Sequence, residues 1–249
     1  MDPKEYKVMY QVEDSHWWYN GLEAITRKCL ERHYPRGGKL RILDAGCGTG
    51  AVMGYLADYG TVVGLDFSAD ALQFCRVRQR ERLTRASVIS LPYPDKTFDL
   101  VASFDVVCSL RAEEDMLSLR EFARVMVPGG SVILRLPATP WLHGQHDEAV
   151  DIHRRYTARQ VNAELRTVGL EPEHISYANT FLFPLAVVKR FSERLFPPQN
   201  GSDLTLGMGP FNGLFRLVLA SEAPLVARHG LPFGLTVVAL ARKPSTDLQ

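Results

Sequence analysis

Cysteine is scarce: Cys29, Cys47, Cys75 and Cys108 are the only four in 249 residues, and no two of them form a C-x-x-C pair. That spacing argues against a zinc knuckle and for thiols kept reduced, and no metal is expected. The chain opens without a charged leader, apolar core and cleavage site, so a cytoplasmic setting is the expectation. Long apolar runs are also missing. "FLFPLAVV" from Phe181 and "LFRLVLA" from Leu214 fall well short of the roughly 20 residues that a membrane-spanning helix needs. Neither charge sign is in excess, since the formal net charge is +1. With no dense basic run carrying interleaved aromatics, the electrostatic case for nucleic acid disappears. Repeats and low-complexity segments are absent as well. What is present, 46% hydrophobic residues over this length, suffices for one large domain or a domain with an elaborated insertion.

The order of elements is the next clue. Residues 19 to 33 read as a helix, with Leu22, Ile25, Thr26, Cys29 and Leu30 at helical spacing. Strands and helices then alternate. "LRILDAG" is a buried strand followed by a glycine-rich turn and a helix from Ala51. "TVVGLDF" is the second strand, and Ser68 caps the helix "ADALQFCRVRQRER". "ASVIS", "FDLVASFDV" and "SVILRLPA" read as the third to fifth strands, the last reached through the helix "DMLSLREFARVM" and the turn "VPGG". Such alternation implies a parallel sheet covered on both faces. Thr157 with Gln160 forms a capping box for the helix "ARQVNAELRTV", closed by Gly169. "EPEHISYANT" and "LTVVALARK" are two late strands. Between them, Phe181 to Phe233 is too apolar for a linker and reads as a helical insertion. The expected organisation is one domain over 1–249: a helical cover at 1–36, a core at 37–180 and 234–243, and the insertion at 181–233.

"LDAGCGTG" stands where the first strand turns into the first helix of the sheet. Glycines at positions 46, 48 and 50 let a ligand approach the backbone, and the following helix adds oriented N–H groups. Alone the motif is weak. Gly46, Gly48 and Ala51 also satisfy the G-x-G-x-x-A form of a dinucleotide fingerprint, with Asp66 about 20 residues on as a ribose acid, so a nicotinamide oxidoreductase stays open at this point.

The surroundings separate the cofactors. Asp44 precedes the glycines, "GLDFS" ends the second strand, "LPYPDKTFDLV" leads into the fourth and "RVMVPGG" precedes the fifth. In this order the set resembles the class I S-adenosylmethionine-dependent methyltransferases, over most of the chain and most specifically between Arg41 and Ala138. "HWWY" at 16 to 19 and "PWLHGQHDEAVDIHRRYT" resemble a bacterial subgroup carrying an H-W-W-aromatic opening and an "RRYT" segment. The resemblance implies a Rossmann-like α/β fold: a mostly parallel seven-stranded sheet, helices on both faces and a helical cap before the last strand. It implies S-adenosylmethionine as cofactor and S-adenosylhomocysteine as product. Within the loop Asp44, Ala45, Gly46, Gly48 and Gly50 match the cofactor-binding positions, with Asp44 orienting the loop and the amino group. Asp66 matches the acid that accepts both ribose hydroxyls, as suits a carboxylate facing a vicinal diol. Phe67 and Val88 match the flanks of the adenine, and Ser87 stands where many relatives have an aspartate for its amino group. Phe104 ends the fourth strand beside the cofactor. Two departures matter: Val107, Cys108 and Ser109 replace a frequent Leu-Glu-His, and Leu22 and Glu23 occur where relatives tend to have arginines.

Methyl transfer at a sulfonium requires alignment and exclusion of water, with a base only if the nucleophile is protonated. His146 and His153 are the titratable candidates after the fifth strand. Arg154 and Arg155 either clamp an acidic substrate or tie their loop to the body. Asp151 and Arg155, spaced i to i+4, are expected to pair across a helical turn. Tyr156 is expected to pack on the sheet. His16, Trp17 and Trp18 are candidates for a lid over the cofactor or, equally, for hydrophobic anchoring of the first helix, and with Trp141 they are the substrate and lid candidates. The insertion is read first as a pocket for a lipophilic acceptor, then as a dimer contact, then as a peripheral membrane surface. The partner is a small molecule, the chain a monomer or homodimer. O-methylation of a small lipophilic acceptor is favoured, N- or C-methylation being open. The rivals are a non-methylating cyclisation or rearrangement on the same fold, and a membrane-surface or partner-binding module.

Overall fold

A computed structural model of the chain describes residues 3–111, 113–144, 147, 151–195 and 209–245. Two helices come first, α1 (Pro3–Val12) and α2 (Trp17–Leu30). The alternating core follows: β1 (Leu40–Ala45), α3 (Ala51–Leu56), β2 (Gly60–Asp66), α4 (Ala69–Val77), β3 (Leu83–Arg85), β4 (Phe98–Phe104), α5 (Glu114–Val125) and β5 (Met126–Pro137). Then come α6 (Ala158–Thr167), β6 (Glu171–Ala178), α7 (Phe183–Leu195), α8 (Asn212–Ser221), α9 (Ala223–Arg228) and β7 (Thr236–Arg242). The sheet runs β3-β2-β1-β4-β5-β7-β6. It is mixed: β1 to β5 pair in parallel, whereas β7 is antiparallel to both β5 and β6.

Side chains alternate along each strand, so the sheet feeds two separate cores. Ile42 and Leu100 join Leu22, Ile25, Leu30 and Leu219 on one face, while Leu43 and Val101 join Phe122, Leu165 and Tyr156 on the other. The buried face of α2 is Gly21, Leu22, Ile25, Thr26, Cys29 and Leu30, the stripe its spacing predicts. Ser68 Oγ accepts from Ala71 N, and Thr157 and Gln160 close a complete capping box.

Three expectations need correction. "ASVIS" is not the third strand: the ladder from β2 ends at Asp66↔Arg85, and Ser87 to Ser90 form a turn. Val88 and Leu91 are apolar because they cover the second core from a loop, not because they alternate on a pleat. "VPGG" does not precede the fifth strand but lies inside it, as a bulge between the pairs Phe98↔Met126 and Leu100↔Ser131. Asp151 does not begin a helical turn toward Arg155. Its φ is 64°, and Arg155 instead pairs with Asp147, Nη2 to Oδ1 2.6 Å.

Candidate active site

The carboxyl ends of β1, β2, β4 and β5 open into a cleft of about 1530 Å³, lying at the switch between β1 and β4 where the strand order reverses. Pockets for one small ligand are typically roughly 300–1,000 Å³, so this cleft is larger than a single such ligand requires. Its floor is the glycine loop. Gly46 has φ 89°, and a Cβ there would meet Val106 Cγ2 at 2.2 Å. Gly48 has φ 52°, and among the described residues a Cβ there would meet only the tip of Met9 from α1. The backbone at this point is left bare for a ligand.

The loop is tied to the end of β2. Gly46 and Cys47 N–H groups donate to Leu65 O at 2.7 and 2.9 Å. Gly48 N–H donates to one Asp66 oxygen at 2.9 Å, and Ser68 N–H to the other at 2.8 Å. Asp66 is therefore fixed in place, and one lone pair remains on each carboxylate oxygen for a pair of hydroxyls. Burial raises its pKa, opposed by those backbone donors. Asp44, at the end of β1, is fully buried, and its Oδ2 has no partner among the described residues. Burial, with the Asp66 charge adding, pushes its carboxyl up to about 8. A buried acid left without a donor suits a cationic ligand group.

The end of the cleft beside β3 is less enclosed. Phe67 is 72% exposed, Val88 is buried, and the Ser87 hydroxyl accepts from Ile89 N–H at 3.4 Å in the turn after β3; all three line the cleft. At the opposite wall Phe104 lies under the guanidinium of Arg135, 4.7 Å from the ring centre, and Arg135 is held by Asp105 at 2.9 Å. The roof comes from the two leading helices. Tyr6 and Met9 of α1 line the cleft, and burial together with the Asp66 charge pushes the Tyr6 hydroxyl up to about 12. Glu13 hydrogen-bonds Thr49 of the glycine loop and pairs with Arg78 at 2.9 Å, closing α1 onto α4. His16, Trp17 and Trp18 line the same cleft, as do Leu182 just before α7, Leu185 and Ala186 of α7 and Phe215 of α8. Ala45 and Gly50 sit at the two ends of the loop, Gly50 capping α3 at φ 86°.

The segment after β5 is held mainly to the body of the protein. Arg155 reaches the cleft edge, but its guanidinium is spent on Asp147 and on Ala138 O at 2.9 Å, and Asp147, fully buried, also accepts from Gly144 N–H. Arg154 pairs with Asp115 and Glu164 and covers Tyr156, which is wholly buried; neither lines the cleft. His153, half-exposed and 3.3 Å from Asp151, also lies off the cleft wall, as does Trp141, edge-on to Phe183. His146 lies outside the described residues. Sequence reasoning missed the α1 contributors Tyr6, Met9 and Glu13. The period of Tyr6, Met9, Tyr10 and Glu13 was a signal, but the helix is short and its face meets a ligand cleft rather than a core.

The fold is of the Rossmann-like α/β class, with a cleft at the switch point of its sheet. A methyltransferase domain family matches over residues 43–134. A demethylmenaquinone methyltransferase of Geobacillus sp. is 34% identical over 161 residues, 57% of this chain and 67% of that protein. Among solved structures, the methyltransferase complexed with the Haloferax volcanii Trm112 activator superposes with a TM-score of 0.62 at 19% identity, covering 97% of this chain and 94% of that one. The 4+2 cyclase SpnF superposes at 0.57 with 22% identity, covering 90% and 81%. Both structural likenesses concern the fold alone. The chain spans about half to three quarters of the length of the first curated relatives it matches. It belongs to the S-adenosylmethionine-dependent methyltransferases.

Proposed function

We propose that the chain transfers a methyl group from S-adenosylmethionine to a small lipophilic acceptor, on oxygen by preference, within the subgroup that its "HWWY" and "RRYT" segments suggest. Asp66 carries this reading: a buried carboxylate fixed by two backbone donors, with a lone pair left on each oxygen for the ribose diol. Asp44, with its unpartnered oxygen, fits the ammonium of the amino-acid end. Gly46, packed under Val106, and Gly48 form the floor on which the thioether chain would lie, and Phe67, Val88 and Ser87 fit the adenine. Bound there, the cofactor supplies a methyl group on a positively charged sulfur, already activated for displacement.

The remaining task for the protein is alignment and exclusion of water. Tyr6 and Met9 roof the cofactor half of the cleft, and Trp17, Phe215, Leu182 and Leu185 offer the other half an apolar wall. Such a wall favours an apolar acceptor, in keeping with the quinone named in the Geobacillus relative. For an acceptor that carries a proton, His146 is the proposed base. His153, which is not among the residues that line the cleft and lies 3.3 Å from Asp151, is less suited to that role. The division into cover, core and insertion within one domain is part of the same reading.

Two measurements test it. Calorimetric titration should show tight binding of S-adenosylhomocysteine and none of NADH; the reverse result returns the chain to the oxidoreductases. Radiolabelled methyl should then pass from the cofactor to quinol or fatty acyl acceptors. A product that forms while the label stays on the cofactor would assign a rearrangement instead.

A further inference from the structure

His16 holds a hydrogen-bond donor in the cleft wall that the fold itself does not use. Its Nδ1 lies 3.2 Å from Trp18 N, and because a backbone N–H can only donate, Nδ1 accepts and caps α2. A neutral imidazole whose Nδ1 accepts carries its proton on Nε2. The cation is disfavoured twice: burial lowers the pKa of the ring, and a proton on Nδ1 would face the Trp18 N–H. The residue is 4% exposed, and Nε2 has no partner among the described residues. Buried donors in folded proteins are nearly always satisfied, so an unmet one lining a ligand cleft calls for a ligand.

The neighbours say which end of the cofactor this is. Three residues upstream, Glu13 holds Thr49 of the glycine loop, and Trp17 N–H donates to Asn212 Oδ1 at 2.8 Å, so His16 is pinned between that loop and α8. The diol is taken by Asp66 and the ammonium by Asp44. The polar group left without a donor is the carboxylate of the amino-acid end. We propose that the Nε2–H of His16 donates to that carboxylate, so that a neutral histidine holds the anionic end of the cofactor while its other nitrogen caps α2. The proposal rests on the cofactor reading above.

Asparagine and glutamine separate the two duties. In His16→Asn the amide oxygen can still cap α2 while the far donor is gone; in His16→Gln the far donor is kept. The probes are S-adenosylhomocysteine and 5′-methylthioadenosine, which shares the nucleoside and thioether but lacks the amino-acid end, with affinity read by calorimetry and folding by thermal melting. His16→Asn should melt close to the wild type, bind S-adenosylhomocysteine at least about tenfold more weakly, as suits a lost hydrogen bond to a charged group, and bind methylthioadenosine unchanged. His16→Gln should recover affinity for S-adenosylhomocysteine. Unchanged binding of both probes by His16→Asn overturns the proposal, and so does an equal loss for both, which would mark a packing role. A wild-type protein that binds neither probe overturns the cofactor reading itself.

Discussion

Binding of S-adenosylhomocysteine should weaken steeply as the pH falls from 8 to 6, because Asp44 must lose a proton to receive the ligand's ammonium. Its carboxyl is pushed up to about 8 by burial at the end of β1 and by the nearby Asp66 charge. Above that value the carboxylate is ready; at pH 7 only about a tenth of the molecules carry it, and at pH 6 about a hundredth. Affinity should therefore drop about fivefold from pH 8 to 7 and about tenfold more from 7 to 6, with close to one proton released per ligand bound at pH 7. The sign for folding runs the other way. The folded, unliganded chain holds a proton here that the unfolded chain gives up at ordinary carboxylate pKa, so this site contributes less stability as the pH rises from about 4 through 8. Ligand should offset that loss. Calorimetry in two buffers of different ionisation enthalpy counts the protons directly, and Asp44→Asn should flatten the dependence. An affinity that is level between pH 6 and 8, with no proton released at pH 7, would refute the assignment of Asp44 to a cationic group.

Replacing Asp66 by alanine removes the diol acceptor and frees the Gly48 and Ser68 N–H groups, so S-adenosylhomocysteine affinity should fall by about a hundredfold or more in the same titration. Asp147→Asn leaves Arg155 buried without its counter-charge, which should cost about 3–5 kcal/mol in urea unfolding. Thr157→Ala should cost about 1 kcal/mol through loss of the capping box, with cofactor affinity intact. Leu185→Asn, in the apolar wall, should leave cofactor affinity unchanged while raising KM for a long-chain acceptor relative to a short one.

Much of the fold was legible because its signals are local. The alternation of strands and helices, the caps at Ser68 and Thr157 and the buried stripe of α2 follow from residues within a few positions of one another. Asp44, Gly46, Gly48 and Asp66 meet at one cleft for a related reason: each stands where a strand of the sheet turns toward a helix. The failures share a cause too. Val88 and Ile89 look like strand residues, but their apolarity serves a turn packed over the sheet. The spacing of Asp151 and Arg155 presupposes a helix, and the backbone at Asp151 is left-handed; the true partner, Asp147, is revealed only by burial. His16 as a helix cap has no sequence signature at all, since histidine is not among the residues that favour that position.

Between β6 and β7, α8 and the residues that follow it are tied closely to the body. Asn212 at the start of α8 accepts from Trp17 N–H and donates to Ser15 O, Leu219 is buried against α2, and Glu222, fully buried, accepts from Thr180 and Phe181 N–H groups at 3.1 and 2.7 Å. Among the described contacts of α7 are the ring contacts of Phe183 with Trp141 and Phe233, while its Leu185, Val188 and Phe191 remain mostly exposed. The start of α8 is thus part of the seat of α2, and a change at Asn212 or Leu219 would loosen the leading helices together with the cleft that they roof.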